Sequence, residues 1–350
     1  MIRAALAFLL LALAAMTTAD AGPKRHLLEF SDLHGWASDD HLAALRAFSE
    51  TCDLIADPDW AGQDWQGLCA LAKDQPKTAA AARTYFELFF RPVQIGTPPA
   101  LFTGYYEPEL RGALQRDSHY AWPIYRRPPG FVPGRLWHTR AEIEQQGLLR
   151  GRGLELAWLE DPVEVFFLQI QGSGRIRLPD GTTIRVGFDG KNGHPYRSVG
   201  GELVRRGLFQ AYQMSAQTIK SWVRANPVAG KRLLQQNPSF VFFRRIDEVP
   251  SDMGPLGAMG RSVTSGRSLA VDDDYTMMGA PVWIEKTGAA PIHRLMVAQD
   301  TGSAIKGAQR ADIFYGTGAQ AGETAGKIRD GGRMVVLLPI QRALAMLDAG

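Results

Sequence analysis

The stretch "AQDTGSAIKGAQRADIFYG", Ala298 to Gly316, decides how the rest of the chain is read. It sets Asp300 and Asp312 beside Lys306 and the glycines Gly302, Gly307 and Gly316, and closes on the aromatic pair Phe314-Tyr315. Taken alone it has a plain reading, because Asp and Gly are ordinary turn residues and Asp300-Thr301-Gly302 is a fitting end for a strand. A chemical duty for the carboxylates has to be argued from the neighbouring segments.

The chain has 350 residues, so one large or two medium domains with an ample core are expected. With 45% hydrophobic and 21% charged residues it reads as soluble and globular. The net charge of +3 is nearly balanced, and its eight Trp and sixteen Phe are not interleaved with basic runs, which argues against nucleic acid as a partner. The opening "MIRAALAFLLLALAAMTTADAGPK" carries Arg3, an apolar run from Ala4 to Met16 and the small-residue site Ala19-Asp20-Ala21, so residues 1–21 read as a secretory signal peptide. The run falls short of the ~20 residues that cross a bilayer, and no cysteine follows it to take a lipid anchor. An exported, periplasmic protein is expected. Its only cysteines, Cys52 and Cys69, form a disulfide in such a compartment, with two separate buried thiols as the alternative. Two cysteines and scattered histidines argue against a bound metal.

Behind the leader, "DDHLAALRAFSETC" puts Leu42, Leu45, Phe48 and Cys52 at helical spacing. "KTAAAARTYFELFFRP" reads as a second helix from about Thr78, stopped by Pro92. "PALFTGYYEPEL" changes character, placing a domain boundary near Glu107, and a Pro/Arg-rich irregular stretch follows. "HTRAEIEQQG" is a short helix with Thr139 and Glu142 at capping-box spacing. From Val163 the pattern reads as strand, "VEVFFLQIQGSG" running into "RIRLPDGTTIRV" around the turn Pro179-Asp180-Gly181. Two helices, "GELVRRGLFQAY" and "SAQTIKSWVRAN", come next. The short strands "SLAVD", "PVWIEK", "RLMVAQD" and "RMVVLLP" then suggest a closed or nearly closed β-barrel.

Four segments are dense in Gly, polar and aromatic residues: "FTGYYEP", "QIQGSG", "DGKNGHPYRSVG" and the opening stretch. Amides, hydroxyls and aromatic faces beside close-approach glycines suit a groove for an uncharged polar polymer such as a glycan. Singly, each also reads as a surface turn; together they favour the groove.

In order along the chain, "FTGYYEP", "FFLQIQGSGRIRLPDG", "VGFDGKNGHPYRSVG", "NPSFVFFR", "GPLGAMGRSVTSGRSLAVD" and "AQDTGSAIKGAQRADIFYG" resemble the signature blocks of the lytic murein transglycosylases of type A. The resemblance runs from about Leu101 to Leu338. It implies a mainly β protein with a helical N-terminal part. A double-psi β-barrel domain would be built from residues 22–106 and 245–345, a second β-rich substrate domain, 107–244, would be inserted, and a groove would run between them. The family's three-aspartate signature maps onto Asp272, Asp300 and Asp312, with Asp312 in the position of the catalytic acid and the other two supporting it. The same blocks nominate Thr103, Tyr105, Tyr106, Gln171, Gly172, Ser173, Lys191, Tyr196 and Lys306 as substrate contacts. Founding members are lipoproteins, and the missing lipidation cysteine sets this chain apart.

The implied reaction cleaves the β-1,4 bond from N-acetylmuramic acid to N-acetylglucosamine in peptidoglycan. Asp312 would protonate the leaving oxygen, then as carboxylate take the proton of the muramoyl 6-hydroxyl as that group closes a 1,6-anhydro ring. No cofactor or metal enters. Asp312 must then be protonated well above its reference pKa of ~3.9, through packing against Phe314 or Tyr315 and proximity to Asp300. Two readings compete: an inverting glycoside hydrolase with Asp300 as base, and a glycan-binding protein without catalysis. A monomer is expected, with other cell-wall synthesis or hydrolysis proteins as the partners a wall enzyme would meet.

Overall fold

The computed structural model describes residues 23–55, 63–74 and 77–348, so the expected signal peptide lies outside the described residues. Two sheets divide the strands. The larger is nine-stranded and runs, edge to edge, Arg25–Leu27, Phe90–Ile95, Gly332–Pro339, Pro281–Lys286, Ile292–Thr301, Ser268–Val271, Arg310–Thr317, Leu101–Glu107 and Arg329–Asp330. The smaller is six-stranded: Trp122–Tyr125, Glu155–Leu159, Glu109–Ala113, Ser173–Arg177, Thr183–Lys191 and Val241–Ile246. Strands from both ends of the described chain thus build the first sheet, and residues 109–246 alone build the second. The nine-stranded order has two free edges, so its pairings do not draw the closed barrel that the strand spacing suggested.

The four late strands sit where their sequence put them, and their burial explains why they read so clearly. Met334 to Leu338 are all buried because the sheet is covered on both faces, which demands a continuous apolar run instead of alternation. One face packs on the N-terminal helices: Phe48, Trp65, Phe86 and Phe90 meet Trp283, Leu295, Val297 and Leu337. The other face closes around Phe102, Leu269, Ile284, Met296 and Ile313. The helix His41–Ser49 starts where Asp40 accepts the Ala43 amide, and Ala79–Phe89 where Thr78 accepts that of Ala81. The second ends at Phe89, short of Pro92, because the chain turns directly into the strand Phe90–Ile95, whose Pro92 pairs with Leu337. Cys52 and Cys69 are joined, their Cα atoms 5.6 Å apart, tying a short turn to the helix Gln63–Asp74.

One expectation fails. "VEVFFLQIQ" is not a strand but the helix Pro162–Gln171. Its ends carry the usual signals: Asp161 accepts the Val163 amide, Pro162 opens the first turn, and Gly172, at φ +79°, closes it in the left-handed region. Phe166, Phe167, Leu168 and Gln169 are all buried, so no polar face marks the 3.6-residue period. The hairpin after it, Ser173–Arg177 with Thr183–Lys191, is antiparallel around Pro179-Asp180-Gly181 as expected. The capping box of Thr139 and Glu142 is present too.

Glu107, at the end of the strand Leu101–Glu107, is fully buried where the two sheets meet. It pairs with Arg175 at 2.8 Å and Arg185 at 2.9 Å from the smaller sheet and accepts the Thr317 hydroxyl at 2.8 Å from the larger. A carboxylate so placed fixes one sheet against the other, because losing it would leave two guanidinium groups desolvated without a counter-charge.

Candidate active site

A cleft of about 250 Å³ opens at that junction. Thr103, Tyr105, Ala270, Asp300, Arg310 and Asp312 line it from the larger sheet; Gln169, Gln171, Tyr196, Asn237 and Ser239 come from the other side. Asp312 owes its place to register, standing opposite Thr103 on the parallel neighbour strand and Ala270 on the antiparallel one. The Thr103 hydroxyl donates to Asp312 Oδ1 at 2.7 Å and accepts from Arg310 Nη2 at 2.7 Å. Gly104 makes this close packing possible, since a Cβ there would lie 2.7 Å from Ala325 Cα and 2.9 Å from the Tyr315 ring.

Asp312 is half-buried, and desolvation pushes its carboxyl up to about 6, against the Thr103 bond and the Arg310 charge, which both pull it down. Asp300 is likewise raised to about 6 by burial, although it accepts the Thr301 amide at 2.9 Å and the Ala258 amide at 3.0 Å; the neighbouring Asp312 charge adds to the rise. The Tyr105 hydroxyl is buried against Asp300 without a well-formed hydrogen bond, and its phenol is pushed up by burial and by both carboxylates. The cleft therefore holds two carboxyl groups that titrate close to neutrality.

Of the residues nominated from sequence, the structure brings Thr103, Tyr105, Gln171, Tyr196, Asp300 and Asp312 into this cleft. Gln171 spends its carbonyl on the Tyr106 amide at 3.0 Å, leaving its NH₂ for the cleft. The others fall elsewhere. Tyr106 packs its ring over Gly322, Gly172 is the helix cap, Ser173 is buried in the hairpin strand, and Lys191 ends the strand beside Val241. Lys306 does not line the cleft; its ammonium is held by Asp272 Oδ1 at 2.7 Å and Asp274 at 3.6 Å. Asp272 is buried, which alone would raise its carboxyl, but the Lys306 bond and the Gly307 amide outweigh that and hold it below the usual range. Asp300 likewise does turn-holding work through its two amides. The carboxylates of Asp272, Asp273 and Asp274 lie within 4.8 Å of one another, and Lys306 already supplies a cation to that group.

Arg310 is the residue the sequence reading missed. It stands two positions before Asp312 on one strand, hence on the same face, and that spacing was the available signal. Arg140, in the short helix read from "HTRAEIEQQG", was not singled out either. It is almost fully buried, donating to Gln169 Oε1 at 2.6 Å and the Ser239 carbonyl at 2.7 Å, with Phe166 and Phe240 against its guanidinium.

Two sheets meeting at a carboxylate-floored cleft place the chain in a recognised class: residues 267–338 match the 3D domain, and residues 101–244 match the MltA specific insert domain. The chain is 37% identical over 246 residues to the membrane-bound lytic murein transglycosylase A of Vibrio cholerae serotype O1, covering 67% of this chain and 64% of that protein's length. A crystal structure of the membrane-bound lytic murein transglycosylase from Agrobacterium tumefaciens superposes with a TM-score of 0.82 at 33% identity, over 92% of this chain and 99% of the other. Escherichia coli MltA with bound chitohexaose gives 0.71 at 29% identity, over 91% and 95%. The chain belongs to the lytic murein transglycosylase A family.

Proposed function

We propose that the protein is a peptidoglycan lytic transglycosylase with Asp312 as its general acid and then its base. The observation that carries this reading is the half-buried Asp312 carboxyl, raised to about 6 in a cleft whose lining also offers the amides of Gln169, Gln171 and Asn237, the hydroxyls of Thr103 and Ser239 and the rings of Tyr105 and Tyr196. Such a group is protonated in a useful fraction near neutrality and still gives up its proton readily. It delivers that proton to the glycosidic oxygen as positive charge builds at the muramoyl C1. The carboxylate left behind is stabilised by the Thr103 hydroxyl and by Arg310 beyond it. It then accepts the proton of the muramoyl 6-hydroxyl, whose oxygen closes on C1. Atoms balance without water, and the product is a 1,6-anhydro sugar.

Asp300, engaged by two backbone amides, serves as a support that holds the Ala258 and Thr301 loops at the cleft. Thr103, Tyr105, Gln171 and Tyr196 make the substrate contacts. The reading takes residues 22–106 and 245–345 as one domain, folded as a double-psi barrel, and 107–244 as the inserted substrate domain. It places the protein in the periplasm as a monomer acting on glycan strands. E. coli MltA holding chitohexaose supports a glycan in the cleft. Mass spectrometry of fragments released from purified murein tests the reaction type: anhydro ends are expected, and reducing ends, heavier by one water, would point to hydrolysis.

A further inference from the structure

A second and larger cavity, about 1180 Å³, lies within the residues that build the smaller sheet and its helices, and the reaction above does not use it. Its walls carry Trp122, Tyr125, Trp158, Phe166 and Phe240. Its charges are lopsided. Arg140 is paired with Glu144 and Arg224 with Asp161, whereas Arg116, Arg150, Lys231 and Arg232 have no ion-pair partner among the described residues. Arg116 lies over the Trp158 ring at 5.9 Å. Against these four cations the lining offers one carboxylate without an ion-pair partner, Glu155. Aromatic walls with an excess of unpaired cations suit a small amphipathic anion with several carboxylates.

Position narrows the identity. Arg140 and Gln169 line both this cavity and the aspartate cleft, so the two spaces share a wall. Of the two guanidinium groups at the cleft, Arg140 is ion-paired with Glu144, and Arg310, which has no ion-pair partner among the described residues, is spent on the Thr103 hydroxyl and the Leu101 and Ala311 carbonyls, so neither reaches out to an anionic branch. A glycan strand in the cleft carries on each muramic acid a short peptide with methyl side chains and free carboxylates. We propose that the cavity is a binding site for that peptide stem, an inference that rests on peptidoglycan being the substrate. Lys231 and Arg232, exposed on the helix Pro227–Leu234, meet the stem carboxylates, and the tryptophans take its apolar portion.

The test titrates the full protein with the free stem tetrapeptide, L-Ala-γ-D-Glu-meso-diaminopimelyl-D-Ala, and follows tryptophan emission, because Trp122 and Trp158 face the cavity. A saturable change is expected in the wild type and in Asp312→Asn. It should weaken about tenfold in Lys231→Glu/Arg232→Glu, whose surface positions leave folding intact by circular dichroism. On stem-bearing murein the double variant should show a raised KM, while its cleavage of peptide-free glycan strands is unchanged. No response to millimolar tetrapeptide, equal affinity in the double variant, or binding of acidic protein segments with the tetrapeptide inert would each overturn the proposal. The titration needs no bond cleavage, so a failed search for anhydro products would leave it standing, and a failed titration would leave cleavage of bare strands untouched.

Discussion

The Thr103 hydroxyl stands between Arg310 and Asp312, accepting from one at 2.7 Å and donating to the other at 2.7 Å. The guanidinium therefore reaches the acid through a neutral relay instead of a direct ion pair. A direct pair would pull the carboxyl far below neutrality and disarm it as a proton donor. The relay leaves burial in command and still offers the carboxylate a partner once its proton is gone.

Thr103→Val keeps the shape and removes the hydrogen bond. Because that bond holds the Asp312 carboxyl down, its loss should raise the pKa further, by roughly half to one unit for an ordinary net hydrogen-bond contribution. In the wild type, kcat/KM should fall as pH rises through about 6, where Asp312 ionises. In the variant that falling limb should move to higher pH while the maximum rate drops, since the carboxylate is less well stabilised. A pH–rate series on glycan strands reads both effects, and an unmoved limb would remove Thr103 from the relay.

Asp312→Asn should be more thermostable than the wild type at pH 7. A folded-state pKa raised above the unfolded value means the native protein holds its proton more tightly, so stability declines as pH climbs from about 4 to about 6 and stays low beyond. Asn carries no charge to desolvate. The melting temperature should rise by roughly 2–6 °C at pH 7, with the difference shrinking toward pH 4. Equal melting temperatures at both pH values would show that the carboxylate is not strained by its site.

Lys306→Met should lower the melting temperature and spare glycan binding, because the ammonium serves buried Asp272 and not the cleft. The Asp272 carboxyl is held low, so its contribution is present above the unfolded pKa and fades as pH falls through the folded value. The wild-type advantage should accordingly narrow in acid. Lost glycan affinity with unchanged melting would return Lys306 to the groove.

Several parts of this arrangement were readable from residues alone, and the reasons differ. The strands Pro281–Lys286 and Gly332–Pro339 declared themselves because a sheet covered on both faces needs unbroken apolar runs. The helix Pro162–Gln171 hid for a related reason: its exposed positions, Pro162 and Ile170, are apolar like most of its buried ones, so it showed no polar face, and its cap signals Asp161-Pro162 and Gly172 outweigh its β-rich composition only once they are given priority. Tertiary direction was the harder matter. Lys306 sits in the loop between Thr301 and Arg310, where spacing does not say whether a side chain turns to the cleft or back to Asp272. Arg310 was hidden differently: its alternation with Asp312 puts both on one face of a strand, but its bond to Thr103 depends on a parallel pairing between segments about 200 residues apart, which local spacing does not reveal.

The central claim is that one carboxyl, Asp312, moves both protons. The most direct test digests purified murein at pH 5.5 with the wild type, Asp312→Asn and Asp300→Asn, and counts 1,6-anhydromuramoyl ends by mass spectrometry. Loss of general-acid help alone costs ~10²–10⁴-fold, and because the same group also acts as base, the Asp312→Asn rate should fall at or beyond the upper end. Asp300→Asn should keep measurable release of the same anhydro ends. Near wild-type release by a folded Asp312→Asn protein would contradict the mechanism.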